Sequence, residues 1–186
     1  FNADDYSSGS MKGIFNHMRA VDLLASREEV DPQRIGAIGH SLGGHNAIFS
    51  AAFDERLRAT VSSCGWCPFH EYQGMKRRGL ADWAQKGYMP RIAEVYGNDP
   101  DKQPFDFYEV VAALAPRAFL SIAPAKDHDF DIAGVKKAIP VAQKVYELLG
   151  AGKALEARYP EGGHDFPEEE RKAAYEFLDR TLGHRP

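Results

Sequence analysis

The stretch RIGAIGHSLGG, residues 34–44, decides the fold of this chain. Arg34–Gly39 is a short apolar run of the kind that forms a buried strand, and Asn46–Phe53 continues as a helical pattern. Between them, Gly39 to Gly43 fits the pattern G-x-S-x-G, in which a serine lies on a tight strand-to-helix turn. The glycines matter because side chains at those positions would clash with the neighbouring strand and helix. We therefore predict that Ser41 is a nucleophile lifted clear of the sheet.

Outward from Ser41, helical and strand patterns alternate along the 186 residues. This alternation predicts an α/β fold with a parallel sheet flanked by helices, in one domain over residues 1–186. The predicted strands cover residues 34–39, 57–64, 117–123 and 155–159. The predicted helices cover residues 10–26, 46–53, 91–96, 132–149 and 167–182. The stretch from Gly65 to Pro116 is otherwise less regular.

A serine hydroxyl is a weak nucleophile without a base, and in this type of fold the partners follow in the order serine, acid, histidine. His164 lies in the turn Gly162-Gly163-His164-Asp165-Phe166, between the fourth strand and the last helix. A loop at the carboxyl end of a strand is where such a base is expected. The weaker candidates are His17, His40, His45, His70, His128 and His184.

The acid is expected after the third strand, where three aspartates compete. Asp127 falls on the turn at the strand end, from which a carboxylate can reach and orient the histidine. Asp129 and Asp131 lie nearer the next helix, where a carboxylate also favours the helix N-terminus. Asp127 is the preferred candidate.

These motifs resemble a known group of proteins. GHSLGG around Ser41, APAKDHDF around Asp127 and PEGGHDFP around His164 resemble α/β-hydrolases of the esterase and dienelactone-hydrolase-like branch, near the acetyl-xylan-esterase and prolyl-oligopeptidase types. The resemblance runs from Met11 onward and implies a Ser-His-Asp triad, with the Leu42 amide as one oxyanion donor. It implies hydrolysis of a small carboxylic ester through an acyl-enzyme, without cofactor or metal. Peptide or lactone hydrolysis is the alternative.

The chain departs from that group before the serine motif. About four strands would normally precede the motif, together with a loop that supplies the second oxyanion donor. Here one helix precedes it, so we expect a truncated fold of about four strands that corresponds to the C-terminal half. Two explanations stay open: a fragment, or a minimal enzyme completed by association. An inactive module that serves in interactions is the alternative of another class.

The strand Arg34–Gly39 would then lie at an exposed edge, and an apolar edge strand invites pairing. We therefore expect a homodimer or a higher oligomer.

Aromatic residues after the second strand are candidates for the substrate pocket, although local packing would explain them equally well. The pocket candidates are His40, Trp66, Tyr88 and Phe130. Cys64-Gly65-Trp66-Cys67 forms a C-x-x-C motif, but it ends a strand and precedes a proline, so we expect neither redox chemistry nor zinc binding. Scattered basic residues and a net charge of −4 argue against nucleic acid as a partner. Apolar runs are too short for a membrane span.

Overall fold

The computed structural model describes residues 6–74 and 76–183. Within them, four parallel strands form a sheet in the order β1-β2-β3-β4, which confirms the predicted fold class. The strands are β1 (Ile35–His40), β2 (Leu57–Ser63), β3 (Ala118–Ile122) and β4 (Leu155–Arg158). Six of the seven residues of β2 are buried, as expected for a parallel strand that is covered on both faces.

Six α-helices connect and flank the described strands. They are α1 (Gly9–Ala25), α2 (Leu42–Phe53), α3 (Arg91–Glu94), α4 (Phe107–Ala112), α5 (Ile132–Leu148) and α6 (Glu168–Leu182). Short 3-10 turns lie at Gly79–Asp82, Pro100–Lys102 and Gly152–Ala154. None of the described helices is long and apolar enough to cross a bilayer.

The sheet has helices on both faces, and each face has its own apolar core. On one face, α6 buries Ala174 and Phe177 against Val61 of β2 and Leu120 of β3. On the other face, α1, α2, α4 and α5 pack together over a larger core. Because all strands are parallel, their carboxyl ends meet at one edge of the sheet, where the loops that carry the candidate site emerge.

Two helices differ from the prediction. The helix α2 begins at Leu42 rather than Asn46, because the chain turns into the helix directly after Ser41. The helix α4 was missed within the irregular stretch. A capping box closes its first turn: the Asp106 side chain accepts the backbone N–H of Glu109, and the Glu109 side chain accepts the backbone N–H of Asp106.

Candidate active site

Ser41 lies at the turn between β1 and α2 in a strained backbone conformation. Its φ is 54° and its ψ is −123°, values that a residue with a side chain rarely adopts. The Ser41 amide donates to the carbonyl of Ser63 at 2.8 Å, which ties the turn to the end of β2. A Cβ on Gly39 would overlap the carbonyl group of Gly43, so only glycine fits there. The local backbone therefore presents the Ser41 hydroxyl at the carboxyl end of the sheet.

The three residues singled out by their motifs come together at this end. The Ser41 hydroxyl lies 2.8 Å from Nε2 of His164, across 123 residues of sequence. Nδ1 of His164 lies 3.0 Å from both carboxylate oxygens of Asp127. With Asp127 ionised, Nδ1 carries the proton and donates it to the carboxylate, which leaves Nε2 to accept from Ser41.

The surroundings of Asp127 keep its carboxylate ionised and oriented. Burial alone would raise the pKa of Asp127, but hydrogen bonds from His164 and from the amides of Asp129 and Phe130 outweigh that effect and lower the pKa. The hydrogen bond to Asp127 raises the pKa of His164, against the opposite effect of burial. This pairing favours the cationic imidazole that forms when His164 takes up a proton.

Leu42 is the first residue of α2 and follows Ser41 directly. Its N–H is therefore among the helix-start amides that have no partner within the helix. Such an amide, at the positive end of a helix dipole, can donate to an oxyanion that forms next to Ser41.

The four pocket candidates lie in different places. The His40 ring lies 5.1 Å from the His164 ring, and the Phe130 ring stacks on His164 at 5.9 Å. Tyr88 packs edge-on against Trp83, at 5.5 Å. Trp66 belongs to the core: it is 2% exposed, and its indole N–H donates to Ser121 at 3.1 Å. The prediction that Trp66 lines a pocket is therefore wrong, because its side chain points into the protein.

The other histidines of the described residues have different surroundings. Burial lowers the pKa of His45 to about 3, and its ring stacks on Trp83 at 4.3 Å. His17 is exposed on α1, and His70 faces Asp101 at 3.0 Å. His128 is largely exposed beside His164. His184 lies outside the described residues.

The two competing aspartates take other positions. Asp131 caps α5 by accepting the amide of Ala133 at 2.7 Å. Asp129 is 3% exposed, and burial raises its pKa.

Residues at the end of β2 also reach the site, which the sequence motifs do not indicate. Cys64 has a φ of 50°, and its Sγ lies within 4.8 Å of ligand atoms of Asp127 and His164. Both cysteines are free and buried. The only signal in the sequence was the position of Cys64 at a strand end next to Gly65.

Several surface clefts lie away from Ser41. Five clefts of the described residues have volumes of about 240 to 640 Å³, and none of these five has Ser41, Asp127 or His164 in its wall. The His164 side chain is 15% exposed. The three residues therefore lie outside these five clefts.

Comparison with known proteins gives the family. The sequence model described as "Glucuronyl esterase, fungi" matches residues 8–150. The chain belongs to the glucuronyl esterase family. Among curated relatives, the chain is 30% identical to "Putative hydrolase YtaP" of Bacillus subtilis over 91% of its own length. It is 26% identical to "Carbohydrate esterase MZ0003", from an unknown prokaryotic organism, over 76% of its length.

A solved structure shows the same fold. The glucuronoyl esterase of carbohydrate esterase family 15 from Caldicellulosiruptor kristjansonii superposes on the present chain with a TM-score of 0.78. It covers 95% of the present chain at 23% identity. The present chain spans 53% of YtaP, 34% of MZ0003 and 51% of the Caldicellulosiruptor chain. It therefore corresponds to about half of the relatives it matches, or less.

Proposed function

We propose that this chain carries the nucleophile, base and acid of a serine esterase that cleaves carboxylic esters through an acyl-enzyme. The observation that carries the proposal is the continuous hydrogen-bond line from Ser41 through His164 to Asp127, at 2.8 and 3.0 Å. The glucuronyl esterase family and the name of MZ0003 support an ester of a carbohydrate acid as the substrate.

The proposed reaction uses each residue in turn. His164 Nε2 takes the Ser41 proton as Oγ attacks the ester carbonyl, and Asp127 stabilises the cationic imidazole. The Leu42 N–H donates to the oxyanion, and His164 then protonates the leaving alcohol. In the second half, His164 takes a proton from water, the hydroxide attacks the acyl-enzyme, and the acid leaves as Ser41 regains its proton.

A fluorophosphonate probe tests the nucleophile directly. We expect the wild-type chain to be labelled at Ser41, whereas Ser41→Ala remains unlabelled. A labelled wild type that cleaves p-nitrophenyl acetate and a methyl ester of glucuronic acid, but not a chromogenic dipeptide, supports the esterase over the peptidase. Absence of labelling in a folded wild type would overturn the proposal and favour an inactive interaction module.

We also propose that two copies associate through the open edge of β1. No described strand pairs with that edge, and Ile38 of β1 is 39% exposed. An unpaired apolar edge favours further pairing. Sedimentation should therefore show a dimer or a larger assembly at micromolar concentration. A stable monomer, or an Ile38→Lys variant that sediments like the wild type, contradicts this proposal.

A further inference from the structure

Three side chains connect the ends of β1 and β2 to the loop that carries His164. Nδ1 of His40 lies 3.3 Å from the hydroxyl of Ser63, and that hydroxyl donates to Sγ of Cys64 at 3.8 Å. The Cys64 thiol in turn donates to the backbone carbonyl of Asp165 at 3.5 Å. Asp165 follows His164 directly. We call His40, Ser63 and Cys64 the brace.

The inner members of the brace are buried, and one is strained. Ser63 is fully buried and Cys64 is 2% exposed. The φ of 50° at Cys64 is unusual for a residue with a side chain, and such strain persists only where the surroundings enforce it. A Cβ on the next residue, Gly65, would come within 2.6 Å of the backbone of Gly44 and His45, so this turn is pressed against the start of α2. The thiol is thereby held beside Asp127 and His164.

The outer member of the brace, His40, lies against the imidazole of His164. The His40 ring is tilted against the His164 ring at a centroid distance of 5.1 Å, and it stacks on Phe166 at 6.0 Å. Burial, together with the charge of His164, lowers the pKa of His40. Since the pKa of His164 is raised, His40 stays neutral while His164 takes up a proton.

We propose that the brace positions His164 against Ser41, with His40 supporting the imidazole ring and Cys64 holding the backbone of its loop. The inference rests on the proposed function, because it assigns a role around the same base. His40 and Cys64 are positioning residues: they act through His164 and through the loop that follows it.

The test compares His40→Ala and Cys64→Ala with two conservative variants. We expect each alanine variant to lower kcat for p-nitrophenyl acetate and the rate constant of fluorophosphonate labelling about 10-fold, with KM changed less than about 2-fold. His40→Phe keeps a ring and Cys64→Ser keeps a donor, so both should recover most of the loss. Because the brace is one chain, the double alanine variant should lose less than the product of the two single losses.

His128 provides a matched control. Its ring lies 5.5 Å from the His164 ring, about as close as His40, but its side chain is 57% exposed and lies outside the brace. His128→Ala should therefore keep kcat within about 2-fold of the wild type. Wild-type labelling rates in both brace variants would overturn the proposal. So would an equal loss in His128→Ala, or no recovery in Cys64→Ser and His40→Phe.

A second measurement does not depend on activity. The titratable groups around His164 are His40, Cys64, Asp127, His128, Asp129 and Asp165. In an NMR titration of the His164 ring, His40→Ala should shift the apparent pKa of His164 towards its ordinary value, because a looser ring pairs less well with Asp127. In His128→Ala, the apparent pKa of His164 should stay close to the wild-type value or shift in the opposite direction. Absence of labelling in a folded wild type would overturn the proposed function. An unchanged pKa of His164 in His40→Ala would overturn the role of the brace, whether or not the wild type is labelled.

Discussion

The two glycines of the serine motif should respond in opposite ways to substitution by alanine. An added Cβ on Gly39 would lie 2.6 Å from the amide nitrogen of Gly44 and closer still to the carbonyl of Gly43, whereas ordinary contacts begin at 3.4 Å. The overlap of at least about 0.8 Å falls on backbone atoms, which cannot rotate away as a side chain can. At Gly43, a Cβ would meet no atom within 4 Å.

These distances translate into stabilities of opposite sign. We expect Gly39→Ala to lower the free energy of unfolding by about 3 kcal/mol, at the upper end of the cost of overpacking. For a chain of this size, that lowers Tm by about 6–12 °C. Gly43 lies inside α2, so Gly43→Ala should instead add about 0.5–1 kcal/mol through its better helix propensity.

Thermal unfolding followed by circular dichroism measures both effects, and fluorophosphonate labelling reports on the turn itself. Gly39→Ala should label Ser41 more slowly even at temperatures at which it remains folded, because the strained turn can no longer form unchanged. A Gly39→Ala variant that melts within about 2 °C of the wild type would refute the steric reasoning. If Gly43→Ala were less stable than the wild type, the space around the added Cβ would have to be occupied in solution, which contradicts the prediction for this position.

Three further predictions follow from the site. Asp127→Asn should lower kcat for p-nitrophenyl acetate by about 10³–10⁴-fold, because it disturbs the His164 tautomer; a loss below about 10-fold contradicts that role. The pKa of His164 is raised, and only neutral His164 can act as a base, so kcat/KM should fall as the pH drops through a value above about 6.5. Asp127→Asn should move this fall of kcat/KM to lower pH. If the fall stays at the same pH, it belongs to a group other than His164. Burial raises the pKa of Cys64 to about 12 and that of Cys67 well above its ordinary value, so iodoacetamide at pH 8 should modify neither thiol before unfolding, as mass spectrometry would detect.

The regular elements could be predicted because their patterns are local. The patterns of buried strands and amphipathic helices involve neighbouring residues only, and the ends of the four predicted strands agree with the structure to within one residue. The helix α4 could not be predicted from periodicity because six residues make too few turns, although Asp106 and Glu109 have capping-box spacing. The start of α2 was placed late because Gly43 and Gly44 are poor helix formers.

The candidate site was predictable only in part. The motif order singled out Ser41, Asp127 and His164, but composition alone does not distinguish Asp127 from Asp129, two residues further along. Trp66 was placed in a pocket because it follows a strand end, yet the direction of its side chain depends on the turn before it. The role of Cys64 depends on a backbone dihedral angle, which no residue type reveals.

The strands of this sheet lie side by side in the order in which they occur in the chain. As a ribosome synthesises such a chain, each new strand can add to the edge left by the previous one, without waiting for a distant segment. Among the described strands, Ser41 would emerge after β1, Asp127 after β3 and His164 after β4. The Ser41 hydroxyl would therefore remain without its proposed base until β4 and the loop that follows it have been synthesised, so that the proposed nucleophile and its base are separated in time as well as in sequence.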